Sequence, residues 1–264
     1  MILAIDMGNS NIKIGIVGEN DYVIEERVTT AYEKTSLEYA SDIMSVLDFH
    51  DLKKKDISGA IISSVVPPLT GIVTTAVRKV LNLEPMIVSS DMKMDIALSK
   101  FKYPKGIGAD LIVGAQAAFK EYSTPCIVIN MGTATTVTVV DSDGEFLGGS
   151  IMPGMKQSAN SLASSTAILP EIDLDKPGRV ISRDTVQCMR SGIVYGIAGG
   201  IDTIIEKAEQ ELGKKCNVVA CGGMARFAIP YCKRSIIIDE KLLMKGLMRL
   251  YELNKDSFNK ECRA

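Results

Sequence analysis

Apolar residues at the start of the chain fall in short, strand-like runs broken by turn residues. Ile2–Asp6, Asn11–Val17 and Tyr22–Thr29 read as three successive strands, with Gly8-Asn9-Ser10 and Gly18-Glu19-Asn20-Asp21 marking the turns between them. The pattern then changes. Leu37, Ala40, Ile43, Met44 and Leu47 fall on one face of a helix over residues 36–47. Gly59–Val66 is an almost unbroken apolar run, as in a strand covered on both faces, and it stops at Pro67-Pro68. Leu69–Leu83 follows as a helix and Pro85–Val88 as a short strand.

The second half repeats the theme. Gly108–Tyr122 is an Ala-rich helix, followed by strands at Cys126–Asn130, Thr135–Val140 and Glu145–Ile151. Helices are expected over Met155–Ala163 and Thr185–Leu212, the latter bent or broken around Gly192, Gly196 and Gly199-Gly200. A strand at Asn217–Ala220, a helix from Met224, a short strand at Ser235–Ile238 and a last helix over Glu240–Leu253 close the chain. Ile5-Asp6-Met7-Gly8-Asn9-Ser10 is echoed by Ile129-Asn130-Met131-Gly132-Thr133-Ala134, each between two strands. Matching strand order around both copies points to an α/β protein of two related lobes. With no linker between them, the division is placed at residues 1–107 and 108–264.

Composition narrows the function classes. The chain has 264 residues, 46% hydrophobic and 23% charged, with Lys+Arg 30 against Asp+Glu 32. Neither a basic block nor a long apolar span is present, so no nucleic-acid or membrane partner is expected. The first residues meet Asp6 too early for an export signal, and a cytoplasmic protein is expected. The six cysteines form no C-x-x-C pair and are expected as reduced thiols. His50 is the single histidine and reads as a solvated helix end. A histidine triad or multi-histidine metal site is therefore excluded, and acid–base chemistry falls to carboxylates, Lys, Tyr or Cys.

Four segments carry candidate chemistry. A turn with Gly and small polar residues lets backbone N–H groups surround an anion, as Gly8-Asn9-Ser10 and Gly132-Thr133-Ala134-Thr135-Thr136 can. Asp6 can hold a divalent cation beside such phosphates, and Lys13 can add a positive charge. Asp110 follows Gly106-Ile107-Gly108-Ala109 at a helix start. It is either a first-turn residue that stabilises the helix or a base for a substrate hydroxyl. Cys221-Gly222-Gly223 is either tight strand–helix packing or bare backbone for a flat ring. Cys221 reads as a small buried residue.

In order, Asp6-Met7-Gly8-Asn9-Ser10, Ser63-Ser64-Val65-Val66-Pro67, Gly108-Ala109-Asp110, Gly132-Thr133-Ala134-Thr135-Thr136 and Gly148-Gly149-Ser150-Ile151-Met152-Pro153-Gly154 resemble the type III pantothenate kinases. The resemblance continues through Ser191-Gly192-Ile193-Val194-Tyr195-Gly196, Cys221-Gly222-Gly223-Met224-Ala225 and Gly246-Leu247. That family lies in the acetate and sugar kinase/heat-shock protein 70/actin superfamily. The resemblance implies two ribonuclease-H-like lobes with duplicated βββαβαβα cores and a nucleotide cleft between them. It also implies ATP-dependent phosphorylation of pantothenate to 4'-phosphopantothenate, the first step of coenzyme A biosynthesis.

By position, the nucleotide-binding residues it implies are Asp6, Met7, Gly8, Asn9, Ser10, Asn11, Ile12, Lys13 and Thr133. Tyr103, Gly108, Ala109, Asp110 and Leu111 would line the pantothenate pocket, with Asp110 as proton acceptor. Thr185 would reach the substrate across a homodimer interface. Magnesium at Asp6 and a monovalent cation (K+ or NH4+) at Asn130 complete the implied set. Two residues depart from the family pattern. Leu111 stands where the family has Arg, and Asn130 where it has Asp. A nucleotide-binding regulatory paralogue and a kinase for another small hydroxyl compound are the alternatives these departures leave open.

Overall fold

In the computed structural model, which describes residues 1–18 and 22–261, the chain divides into two units. The first comprises residues 1–120 with 241–264, the second residues 121–240. The expected turn residues Glu19, Asn20 and Asp21, and Cys262, lie outside the described residues.

Short apolar runs build the first sheet, and β1 and β4 within it are buried on both faces. Strands β1 (Ile2–Met7), β2 (Asn11–Val17) and β3 (Val23–Thr29) form an antiparallel meander, with Asp6 opposite Lys13 and Lys13 opposite Arg27. Strand β4 (Gly59–Ser64) lies parallel to β1 with Ser63 opposite Asp6, and β5 (Met86–Ile87) completes the order β3-β2-β1-β4-β5. Leu3, Ile5, Met7, Ile12, Ile14 and Ile16 point to one face and pack with helices α1 (Ser36–Phe49) and α2 (Pro67–Leu81). Thr35 caps α1 in a reciprocal box with Glu38, and Pro67 supplies the preset first turn of α2. Helix α3 (Ala109–Glu121) follows a long loop.

The second sheet repeats this plan. Strands β6 (Cys126–Met131), β7 (Ala134–Val140) and β8 (Phe146–Pro153) form the meander. Strands β9 (Asn217–Cys221) and β10 (Ile237–Ile238) run parallel beside β6, giving the order β10-β9-β6-β7-β8. Read from the meander edge inward, the two orders are the same. The duplication expected from the repeated hexapeptide is therefore present in the hydrogen bonding. Helices α4 (Met155–Ser164) and α5 (Thr185–Leu212) connect β8 to β9, and α6 (Ala225–Ala228) lies between β9 and β10.

The last helix, α7 (Leu242–Glu261), returns to the first unit and packs on β1, β2 and β4. Gly15 makes room there for Met244, and Gly59 for the Tyr251 ring; any side chain at either glycine would collide. Because α3 and α7 both cluster with the first sheet, the contacts do not divide at one point in the chain.

The structure differs from the sequence reading in three places. Helix α5 is unbroken despite its glycines. Gly192, Gly196 and Gly199 lie toward open space, while Met189, Ile193, Val194, Ala198, Ile201 and Ile205 on the other side are buried. That packing outweighs the loss of about 1 kcal/mol that each glycine brings. The helix expected from Met224 is only four residues and passes into a tight 3-10 turn at Ile229–Tyr231, where Pro230 prevents continuation. His50 caps the C-terminus of α1 as expected, but it is half-buried, with Nε2 2.9 Å from Glu26 Oε1. None of the described cysteines forms a disulfide.

Candidate functional site

The hairpin joining β1 and β2 is closed by the Gly8 N–H, which donates to the Asn11 carbonyl at 3.0 Å. Thr30, the residue just past β3, fixes the tip. Its hydroxyl donates to the Gly8 carbonyl at 2.6 Å, and its N–H donates to the Ser10 carbonyl at 3.1 Å. A Cβ on Gly8 would come within 3.1 Å of the Asn11 carbonyl, so the tight tip favours glycine. Asn9, Ser10 and Asn11 are exposed around it, while Met7 and Ile12 are anchored in the core.

One face of this sheet belongs to the apolar core. The other carries polar side chains in a straight row across four strands, Ser63–Asp6–Lys13–Arg27, set by the registers above. Asp6 is buried, and its carboxyl is pushed up to about 6. Loss of hydration is the main cause; Lys13 pulls the value down, and Asp110 and then Glu25 push it up. Ser63 leans toward Asp6 and lowers the value slightly, but its hydroxyl falls short of a formed hydrogen bond. Lys13 is held by Glu25, with its ammonium 3.2 Å from Oε1 and 3.3 Å from Oε2. Arg27 grips the same Oε1 with Nη2 at 3.1 Å and Nε at 3.3 Å.

Asp110 lies in the first turn of α3, where the Gly108 carbonyl accepts from the Leu111 and Ile112 N–H groups. Both sequence readings of Asp110 are compatible with this placement. A Cβ on Gly108 would sit 2.7 Å from Asp110 Oδ1 and 3.7 Å from Val65. The turn thus lies against the segment following β4 and leaves room for the carboxylate. Asp110 is half-buried and close enough to Asp6 to raise its pKa. Ala109 and Leu111 are half-buried beside it. Tyr103 is exposed on the preceding loop, with Lys102 Nζ 5.3 Å from its ring centre.

The loop is tethered to the helices around it. Arg249 of α7 donates to Asp95 from Nε at 2.7 Å and Nη2 at 2.8 Å. The fully buried Gln116 of α3 adds its amide to the same carboxylate at 2.6 Å. Asn254 of α7 bonds the backbone of Lys93 in both directions.

In the second unit, Asn130 stands opposite Thr136, and the Gly132 N–H donates to the Ala134 carbonyl at 3.0 Å. Thr133 is exposed at the tip. Two glycine turns press on this hairpin. Gly154, at the N-terminus of α4, leaves no room for a side chain against the Thr133 backbone; Gly222, at φ +93, leaves none against Met131. Thr135 and Thr136 hydroxyls are buried without a hydrogen-bond partner among the described residues. Thr185 is exposed at the first position of α5, whose N-cap is Asp184.

The structure therefore gathers Asp6, Lys13 and Asp110 in the first unit, and Asn130 and Thr133 on the second hairpin. Tyr103 lies on the loop that precedes α3 and its Asp110. The sequence reading did not single out Glu25, Arg27 or Thr30, and it named Ser63 and Thr136 only within longer motifs. Alternation within β3 signals that Glu25 and Arg27 share a face, but only the strand register shows that Lys13 lies on it.

Residues 2–207 match the profile of the family described as Type III pantothenate kinase. The type III pantothenate kinase of Finegoldia magna is 40% identical over 259 residues, 97% of this chain and 98% of that protein. The one from Moorella thermoacetica is 37% identical over 254 residues, 96% of this chain and 100% of that protein. Among solved structures, component A of the (R)-2-hydroxyglutaryl-CoA dehydratase of Acidaminococcus fermentans superposes with a TM-score of 0.57 at 15% identity, covering 97% of this chain and 98% of that one, a likeness of fold alone. The duplicated sheets, the paired glycine hairpins and the full-length relatives agree: the chain belongs to the type III pantothenate kinase family.

Proposed function

We propose that the protein transfers the γ-phosphoryl group of ATP to the primary hydroxyl of pantothenate, yielding 4'-phosphopantothenate for coenzyme A synthesis. The observation that carries this reading is the placement of Asp110 beside the buried Asp6 and the Gly8 hairpin. Amides of residues 9–11 and the Lys13 ammonium would hold phosphate oxygens, and Thr133 is proposed as a further nucleotide-binding residue. Asp110 would take the hydroxyl proton as its oxygen attacks phosphorus, and ADP would leave. Tyr103, Gly108, Ala109 and Leu111 would border the pantothenate.

No group of three or more His, Cys, Asp or Glu among the described residues can hold a metal. Asp6 nevertheless suits Mg2+, which is commonly held by one carboxylate, waters and nucleotide phosphates. Bound there, the ion would neutralise phosphate charge. A K+ or NH4+ ion at Asn130 would meet an amide oxygen rather than a carboxylate.

We assign a homodimer as the working form, with Thr185 reaching the substrate of the partner. Exposed Ile151, Ile168, Val180 and Ile181 in the second unit support it, because apolar residues in water favour a covering surface. Among the described residues, no helix is long and apolar enough to cross a membrane, and a cytoplasmic site fits the absence of described disulfides.

Leu111 supports a second reading, a nucleotide-binding regulatory paralogue or a kinase for an uncharged hydroxyl compound. A half-buried Leu cannot pair with the pantothenate carboxylate as Arg does. An ATP-consumption assay with Mg2+ and pantothenate, with and without K+ or NH4+, separates the readings. Turnover confirms the kinase; ATP binding without turnover favours the alternative.

A further inference from the structure

The ion-paired state of Lys13 has a direction. Strands β2 and β3 are antiparallel, with Asn11 opposite Thr29 near the hairpin tip and Gly15 opposite Glu25 farther down. Glu25 therefore lies on the side of Lys13 away from the Gly8–Asn11 tip, the proposed phosphate site. Both of its oxygens lie within 3.3 Å of the ammonium. Lys13 and Glu25 side chains are only 11% and 14% exposed, so water screens their attraction poorly. Arg27, 44% exposed at the outer end of the row, shares Oε1 with Lys13.

We propose that Glu25 is a positioning residue that holds Lys13 back from the phosphate hairpin, and that Arg27 sets how firmly it does so. The inference rests on the proposed nucleotide site at that hairpin. Phosphate binding at the tip draws the ammonium forward from Glu25. Left alone, a largely buried carboxylate that loses its cation would be strongly disfavoured. The Arg27 guanidinium stays on Glu25 and reduces that penalty, so the exchange of partners is accessible. Removing Glu25 frees Lys13 for the phosphates, whereas removing Arg27 takes a competing cation from Glu25 Oε1 and tightens its hold on Lys13. The two substitutions thus act in opposite directions, which loss of structure at β3 would not produce.

The test compares wild type, Glu25→Gln, Arg27→Gln and the double variant. ATP affinity is measured by calorimetric titration with Mg2+ present, and KM for ATP and for pantothenate by steady-state assay. Glu25→Gln is expected to strengthen ATP binding by about threefold to tenfold, and Arg27→Gln to weaken it by about as much. The double variant should match Glu25→Gln, because Arg27 acts through Glu25. KM for pantothenate should move by less than about twofold in every variant. If the Gln substitution disturbs β3, Glu25→Asp keeps the charge on a shorter stem and should give an intermediate gain.

Weaker ATP binding in Glu25→Gln or Glu25→Asp overturns the proposal. So does a double variant as weak as Arg27→Gln, since Arg27 would then be touching phosphate itself. If wild type binds ATP and no variant shifts it, this inference falls and the nucleotide site stands. If wild type binds no ATP, both fall.

Discussion

At the first hairpin Asp6 faces Lys13 across the strand pair; at the corresponding place in the second sheet Asn130 faces Thr136. The backbones around them are alike. Each glycine N–H closes back to a carbonyl at 3.0 Å, from Gly8 to Asn11 and from Gly132 to Ala134. The second loop is one residue shorter, and two glycine turns rather than a threonine hydroxyl brace it. The first unit concentrates ionisable groups, Asp6, Lys13, Glu25, Arg27 and Asp110, near one end of its sheet. The second offers hydroxyls and an amide. A duplicated scaffold has thus retained its geometry and divided its charge.

That division is broken most sharply at Asp110. Asp110→Asn keeps the shape of the side chain and removes the base, so kcat should fall by about 10²-fold or more while ATP affinity holds. Calorimetric titration alongside single-turnover assays measures both. Unchanged turnover would leave Asp110 as a helix-start residue only.

Asp6 gives the next effect, and its sign follows from burial. In the metal-free protein its carboxyl is raised from 3.8 to about 6, so the folded chain holds this proton more tightly than the unfolded chain. Its stabilising contribution is complete below about pH 4 and is lost as pH rises through 6. About two units correspond to about 3 kcal/mol. Urea unfolding in a chelator should show this fall between pH 4 and 6, and Asp6→Asn should flatten it. An unaltered slope in the variant would move its origin elsewhere. Nothing comparable is expected from Asn130, which does not titrate.

The hairpins also show what can be read without coordinates. The repeated hexapeptide and the change from short apolar runs to helical spacing are enough to place the strands, the long helices and the duplication. Asp6, Lys13 and Asp110 announce themselves because each sits in or beside a glycine turn. Glu25 and Arg27 do not, since their role depends on which strand lies next to β3 and in which register. The loop tethers Asp95–Arg249 and Lys93–Asn254 are hidden for the same reason: their partners lie 154 and 161 residues apart. Helix α5 is the reverse case, where local glycine signals point to a break and the buried opposite face keeps the helix whole.

Two substitutions sharpen the charge comparison by moving this chain toward the residues that the sequence resemblance implies. Leu111→Arg should lower KM for pantothenate by about tenfold, because a guanidinium can grip the substrate carboxylate with two hydrogen bonds. Asn130→Asp places a full charge on the second hairpin and should increase stimulation by K+ by about threefold. Steady-state assays of wild type, both variants and their combination, with K+ varied, measure the effects. Tight pantothenate binding and strong K+ activation in wild type, improved by neither change, would mean that the two departures are compensated within the site.

The smallest expected effect separates the hairpins through one substitution made in two places. Thr30 Oγ1 donates to the Gly8 carbonyl at 2.6 Å, whereas Thr135 Oγ1 is fully buried and has no partner among the described residues. Val has nearly the shape of Thr and cannot hydrogen-bond. Thr30→Val removes a formed bond and leaves a carbonyl short of a donor, so the nucleotide-free protein should lose about 1 kcal/mol. Thr135→Val replaces an unsatisfied hydroxyl by a methyl group among apolar neighbours, so the same protein should gain up to about 1 kcal/mol. Urea unfolding without ligand gives both values. Repeating it with saturating ATP and Mg2+ adds the functional half of the contrast. If the Thr135 hydroxyl is kept unpartnered for the bound state, its Val variant should show a smaller ATP-induced stabilisation than wild type. An equal stabilisation would make Thr135 a packing residue and leave the second hairpin's role to Thr133 and the backbone.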